Sequence, residues 1–363
     1  MKIICVVGAR PNFMKIAPIV EAIKAYPEID AVLVHTGQHY DYEMSQIFFE
    51  QLDIPKSDVN LGIGSGSHAN QTAQIMIAFE HVIDGVKPDM VLVVGDVNST
   101  LSCALTSAKM NIPVAHVESG IRSFDKTMPE EINRIVVDHV SDYLFAPTIT
   151  AINNLVKEGI VAAKVHLVGD VMIDTLLKYR EKASRSQIRK TLNINSEYGL
   201  MTLHRPANVD NKDVLGNILD ALYIIQKQIK IVLPLHPRTL AKITEYEFIN
   251  TLTDMKNVVL SEPLGYLDFI NLLVSATFIL TDSGSIQTES SYLNIPCITM
   301  RANTERPETI TKGTNVLVGN DSNMIIQECQ KAINGEGKKG YIDKLNDGLV
   351  SKRIIDVIRE GEL

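Results

Sequence analysis

Short apolar runs alternate along this chain with longer segments in which apolar residues recur every three or four positions. Residues 3–7 (IICVV), 31–36 (AVLVHT), 90–94 (MVLVV), 112–117 (IPVAHV) and 142–147 (DYLFAP) read as strands. Between them the apolar positions take helical spacing, as at Met14, Ala17, Ile19, Val20 and Ile23. The alternation pauses after HLVGD at 166–170, where a helix at 171–182 runs into the polar stretch EKASRSQIRKTLNINSEYG. It then resumes with strands at 200–203, 231–235, 258–260, 278–281, 297–300 and 316–318. Strand and helix in strict alternation predict parallel sheets covered by helices, joined by right-handed crossovers. The pattern predicts an α/β protein of two sequential Rossmann-like domains, 1–168 and 169–349, with the function in a central cleft between them.

A chain of 363 residues with 45% hydrophobic content can fill two such cores. The net charge of -8 argues against a nucleic-acid partner, since phosphate backbones need a basic face. Cys5, Cys103, Cys297 and Cys329 lie far apart with no CxxC spacing, so no disulfide framework and no metal site is expected. A reducing, cytoplasmic setting fits. The apolar run at 3–7 is too short for a signal peptide, and no stretch reaches membrane-spanning length, so no membrane partner is expected.

Ligands of open parallel sheets bind beyond the carboxyl ends of the strands, so polar residues there carry the candidate chemistry. Residues 8–11 (GARP) form a tight turn that places Arg10 at a helix N-terminus, suited either to an anion or to a surface ion pair. This is not the GxGxxG dinucleotide fingerprint, and no nicotinamide cofactor is expected. The Gly- and Ser-rich segment 62–71 reads as a mobile loop and candidate lid. Asp96 leaves a strand end. His116 interrupts an apolar strand and reads as a hydrogen-bonded core histidine. Glu118 directly follows that strand, where partial burial and a neighbouring acid would raise its pKa towards acid/base work. Judged alone, Glu130 reads as structural rather than catalytic, because Thr127 and Glu130 fit a capping box. Ile132, Ile135, Val136 and His139 are expected to be that helix's inward stripe, and His39 reads as a loop histidine.

In the second half, strand ends lead into His204-Arg205-Pro206, into His236-Pro237-Arg238 and into DSGSIQTES. Ser283 and Gly284 open a helix and offer donors to a phosphate. Glu289 could accept the two hydroxyls of a ribose, or be a solvated helix acid. Arg306 adds a cation. Their joint placement at successive strand ends points to a bound diphosphate.

GARPNFMKIAP, TGQHYD, GDVNST, HVESGIRS, MPEEINR, TLHRP, TDSGSIQTE and TERPET, in this order over nearly the whole chain, resemble the non-hydrolysing UDP-N-acetylglucosamine 2-epimerases. The resemblance implies a glycosyltransferase-B type fold with a C-terminal helix, 350–363, crossing back to the first domain. It also implies a cofactor-free reaction on a UDP-sugar substrate, inversion at C2 of UDP-GlcNAc to give UDP-ManNAc, carried out by a homodimer. Carried over by motif position, Asp96, Glu118, Glu130 and His204 are the acid/base set. Arg10, Lys15, His236, Ser283, Gly284 and Arg306 would hold substrate, and Glu289 the ribose. The chain departs from the family pattern at Ala207, where an acid is usual, and at Ser285, where a second glycine is usual. An activator site would include Gln38 and His39, but residues 62–71 lack an expected arginine. Rival readings are a 2-epimerase of a modified UDP-amino sugar, a hydrolysing epimerase, a retaining glycosyltransferase and a sugar-nucleotide sensor.

Overall fold

The computed structural model describes residues 1–38, 42–340 and 345–361. His39 therefore lies outside the described residues. The chain divides into two units, Met1–Lys178 with Lys344–Leu363, and Tyr179–Asp343.

The first unit is built on seven strands: β1 (Lys2–Val7), β2 (Asp30–His35), β3 (Val59–Asn60), β4 (Met90–Val94), β5 (Val114–Val117), β6 (Tyr143–Ala146) and β7 (Val165–Leu167). They lie in the order β3-β2-β1-β4-β5-β6-β7, all parallel. Helices cover both faces of such a sheet, so its central strands are buried on both sides and read as unbroken apolar runs. Ile4, Val6, Val91 and Val93 pack in this way against Ile75, Phe79 and Ile83 of the helix His68–Val86. Chain order reverses between β1 and β4, which opens a crevice at their carboxyl ends.

The second unit repeats the plan with β8 (Tyr198–Met201), β9 (Lys230–Pro234), β10 (Val258–Ser261), β11 (Phe278–Thr281), β12 (Cys297–Thr299) and β13 (Asn315–Leu317). Its parallel order is β10-β9-β8-β11-β12-β13, and the reversal falls between β8 and β11. Leu215, Ile218 and Leu222 of the helix Lys212–Ile225 share a core with Ile231, Leu233, Phe278 and Leu280. The helix Val350–Glu360 belongs to the first unit. It buries Val350, Ile354, Ile355 and Ile358 and packs on the helix Arg10–Ile23. Asp174 caps it, accepting from the Val350 and Ser351 amides.

Three expectations are corrected. Residues 68–71 of the proposed lid are helix: Ser67 caps His68–Val86, and Gln71 is buried, donating to the Gly64 carbonyl. The capping box at Thr127 does not form, because the Thr127 hydroxyl donates to Asp125 and the helix Pro129–Val140 begins after Met128 with no side-chain cap. That helix also faces the other way. Glu131, Asn133, Arg134, Val137 and Asp138 are buried, whereas Ile132 is 49% exposed and His139 is exposed. Charged residues point inward here because each finds an opposite charge, which periodicity of apolar residues cannot reveal.

Candidate functional site

At the first reversal, Asn12 fastens β1 to β4. Its Oδ1 accepts from the amides of Gly8 and Ala9, and its Nδ2 donates to the Val94 carbonyl at 2.9 Å. A side chain on Gly8 would run into the hydroxyls of Ser99 and Thr36, so the turn needs glycine. Arg10 opens the helix, and its guanidinium lies 4.7 Å over the Phe48 ring. One turn on, Lys15 is buried and ion-paired with buried Glu118. The neighbour of Glu118 is thus a cation rather than the acid expected from sequence. Gly95, with φ +69°, leaves room for this pair, since a Cβ there would sit 2.8 Å from Lys15 Nζ.

Asp96 follows Gly95 and keeps 28% of its side chain exposed while pairing with Arg134 Nη1 at 2.5 Å. Arg134 also holds Glu131, whose carboxylate accepts from the amides of Ser123 and Phe124. Burial pushes the Glu131 pKa up, but these amides and the guanidinium outweigh it and bring it below the usual carboxylate range. Of the two adjacent acids, Glu131 is therefore scaffold. Glu130 is half-buried, and its side chain makes no hydrogen bond or ion pair among the described residues. His116 is the core histidine expected, bonded to Asp138 and to the Gly95 carbonyl. Gln38 Oε1 accepts from the Ser99 amide at 3.0 Å and so secures the start of the helix Asn98–Lys109.

At the second reversal, Asp282 follows β11 and accepts from the amides of His204 and Arg205 at 2.9 and 2.8 Å. Burial would raise its pKa, but His204 beside it and the two amides lower it to about 2. His204 Nδ1 lies 3.0 Å from Asp282 Oδ1, and its side chain is 39% exposed. His236 is exposed, its ring 5.6 Å from that of His204, and its Nδ1 accepts from the Arg238 amide. Ser283 precedes the helix Gly284–Tyr292 and makes no capping bond, which leaves the first-turn amides open to an anion. Arg306 is buried nearby, donating to the Thr288 hydroxyl at 2.9 Å. Glu289 is 2% exposed, with Tyr266 Oη at 3.4 Å, so it is not a solvated acid.

Sequence reasoning missed Asn12, Arg134 and Asp282 as organisers of these strand ends, and Arg301 and Glu305, which pair at 2.7 Å beside Gly284. Glu131 and Arg134, three apart on one helix, were a legible ion-pair signal. Asp282 follows an apolar strand just as Asp96 does. Among the described residues, no group of three or more His, Cys, Asp or Glu is placed to hold a metal ion, and no helix is long and apolar enough to cross a membrane.

Two parallel sheets, each with polar groups gathered at its reversal point, define a glycosyltransferase-B-like α/β protein. Its crystal-structure counterpart from Methanocaldococcus jannaschii, a UDP-GlcNAc 2-epimerase in complex with UDP-GlcNAc and UDP, matches with a TM-score of 0.94 at 42% identity, covering 99% of this chain and 100% of that one. A family model described as UDP-N-acetylglucosamine 2-epimerase matches residues 21–359. The chain is 42% identical to the M. jannaschii UDP-N-acetylglucosamine 2-epimerase over the full length of both. It is 44% identical to a UDP-2,3-diacetamido-2,3-dideoxy-D-glucuronate 2-epimerase of Pseudomonas aeruginosa, covering 92% of each. The chain belongs to the UDP-N-acetylglucosamine 2-epimerase family.

Proposed function

We propose that the protein is a non-hydrolysing epimerase that interconverts UDP-GlcNAc and UDP-ManNAc and supplies ManNAc-type sugars for cell-surface polysaccharide. C2 of the sugar carries no carbonyl, so simple proton abstraction would leave an unstabilised carbanion. Elimination avoids it: a base takes the C2 proton, the C–H electrons form the C1–C2 double bond, and the C1–O bond breaks to release UDP. Re-addition of UDP to the resulting 2-acetamidoglucal, with a proton delivered to the opposite face of C2, completes inversion. Asp96, Glu118 and Glu130 are the candidate proton carriers, with His204, held by Asp282, as the acid/base group of the second unit. Ser283, Gly284, His236 and Arg306 are assigned to the diphosphate and Glu289 to the ribose, with Arg10 and Lys15 as cations of the first unit.

The observation that carries this reading is the buried Lys15–Glu118 pair beside partly exposed Asp96 at the β1/β4 reversal. It supports two carboxyl groups at one crevice, one to take the C2 proton and one to deliver a proton on the opposite face. Four buried, unpaired cysteines support a reducing, cytoplasmic setting. A homodimer is supported by an outward apolar face on the helices His68–Val86 and Pro129–Val140. A groove of about 310 Å³ there is lined by Ala73, Met76, Leu101 and Ile132, with Ile77 62% exposed on the first of these helices.

Proton NMR of the enzyme with UDP-GlcNAc in D2O tests the reaction. UDP-ManNAc carrying deuterium at C2 is expected. Free ManNAc would mean that water traps the glycal, and absence of both would defeat the UDP-GlcNAc assignment. A second reading, favoured by the 44% identity to the Pseudomonas enzyme, is epimerisation of a diacetamido UDP-uronate. The ratio of kcat/KM for the two UDP-sugars decides between them.

A further inference from the structure

Beneath the first crevice, the strand ends that bear Asp96 and Glu118 are tied together by two fully buried side chains, His116 and Asp138. His116 Nε2 lies 2.8 Å from the Gly95 carbonyl oxygen, and Nδ1 lies 2.6 Å from Asp138 Oδ1. A carbonyl oxygen only accepts, so Nε2 donates. Burial pushes the Asp138 pKa up, but His116 and the Arg122 guanidinium outweigh it and hold the group below the usual carboxylate range. An ionised carboxylate also only accepts, so Nδ1 donates too. Asp138 Oδ2 accepts from the Gly120 amide at 3.0 Å and lies 2.7 Å from Arg122 Nη2. Arg122 is clamped in turn by Glu158 through bonds of 2.8 and 2.7 Å. One chain of contacts thus runs from the carbonyl preceding Asp96 to the amide two residues beyond Glu118.

The backbone held by this chain is in conformations that side chains avoid. Glu118 has φ +74°, with Gly95 at +69° and Gly120 at +77°. A glycine would adopt the left-handed region freely at position 118, yet the chain places there a carboxylate that pairs with Lys15. Such a conformation persists only where its surroundings over-determine it. Here the amides of Glu118 and Ser119 both donate to the Phe145 carbonyl at 3.1 Å, and the Gly120 amide is fixed by Asp138.

We infer that His116 and Asp138 are positioning residues that set the separation of Asp96 and Glu118 for proton transfer at C2, with neither touching substrate. This rests on the epimerase reading above. Steady-state kinetics, C2 deuterium exchange and near-UV circular dichroism of the full-length enzyme and of Asp138→Asn, His116→Asn and His116→Gln test it. The Asn variant can reach Asp138 but not the Gly95 carbonyl, and the Gln variant the reverse.

A misplacement of about 1 Å in a reacting group costs on the order of 100-fold. The expected result is a fall of that order in kcat and in exchange rate for Asp138→Asn and His116→Asn, at unchanged KM and unchanged dichroism. His116→Gln, which keeps the link to the strand end before Asp96, is expected to retain more of kcat than His116→Asn. Wild-type kcat per folded molecule overturns the inference, and so does loss of kcat in step with loss of dichroism. If Asp138→Asn does not fold, the two His116 variants decide by the same measures. Failure of the wild-type enzyme to exchange the C2 proton would defeat the epimerase reading itself, and that result is seen before any substitution is made.

Discussion

Lys15 and Glu118 are both buried, so each charge is tolerated because the other is there. Removing one partner of a buried pair leaves an uncompensated charge, at a cost of about 3–5 kcal/mol. Lys15→Met is therefore expected to lower stability in chemical denaturation by that amount, and Lys15→Met with Glu118→Gln by much less. Glu118→Gln alone is expected to cut kcat by about 100-fold or more, as loss of a general base does. In the second unit, Asp282 titrates at about 2 when folded against an ordinary 3.8. A depressed carboxylate stabilises the fold above its unfolded pKa, and that stability is lost as pH falls through the folded value. Asp282→Asn should cost about 2 kcal/mol at neutral pH, a difference that shrinks between about pH 4 and pH 2 in thermal unfolding. The carboxylates at 96 and 118 were legible because each follows an apolar run. The partner of Glu118 was not, since Lys15 lies 103 residues away along the chain.

Strands and most helices were legible because burial on both faces of a parallel sheet demands unbroken apolar runs. β3 escaped because it has two residues, one of them exposed. The helix Pro129–Val140 was recognised but turned the wrong way: Ile132 faces outward and Ile135 and Val136 are only half-buried, whereas Glu131, Arg134 and Asp138 face in beside Val137. Amphipathic pattern reports which side is apolar, and core position follows only when the inward side lacks ionic partners. The helix Val350–Glu360 behaves as pattern suggests, with Ile354, Ile355 and Ile358 all buried. Ile355→Ala is expected to cost about 2–5 kcal/mol of stability in denaturant unfolding, the range for truncating a fully buried isoleucine.

At the scale of the whole molecule, the outward apolar face of the first unit bears on assembly. Ile132→Lys should leave the melting temperature of the protomer nearly unchanged, since the side chain is 49% exposed, and shift the protein from dimer to monomer in sedimentation equilibrium. A monomeric wild type would refute that assignment. Two parallel α/β sheets, and the strand-end position of Asp96, Glu118, His204 and Ser283, followed from the sequence alone. They are set by local periodicity and by the rule that chemistry gathers where parallel strands end. Tertiary structure alone decided which groups meet there: Lys15 with Glu118, Arg134 with Asp96, His116 with Asp138, and Asp282 with His204. Strand order determines those meetings. β1 lies beside β4, and β8 beside β11, only once the sheets have formed, so residues distant along the chain become neighbours through pairing that no local pattern encodes.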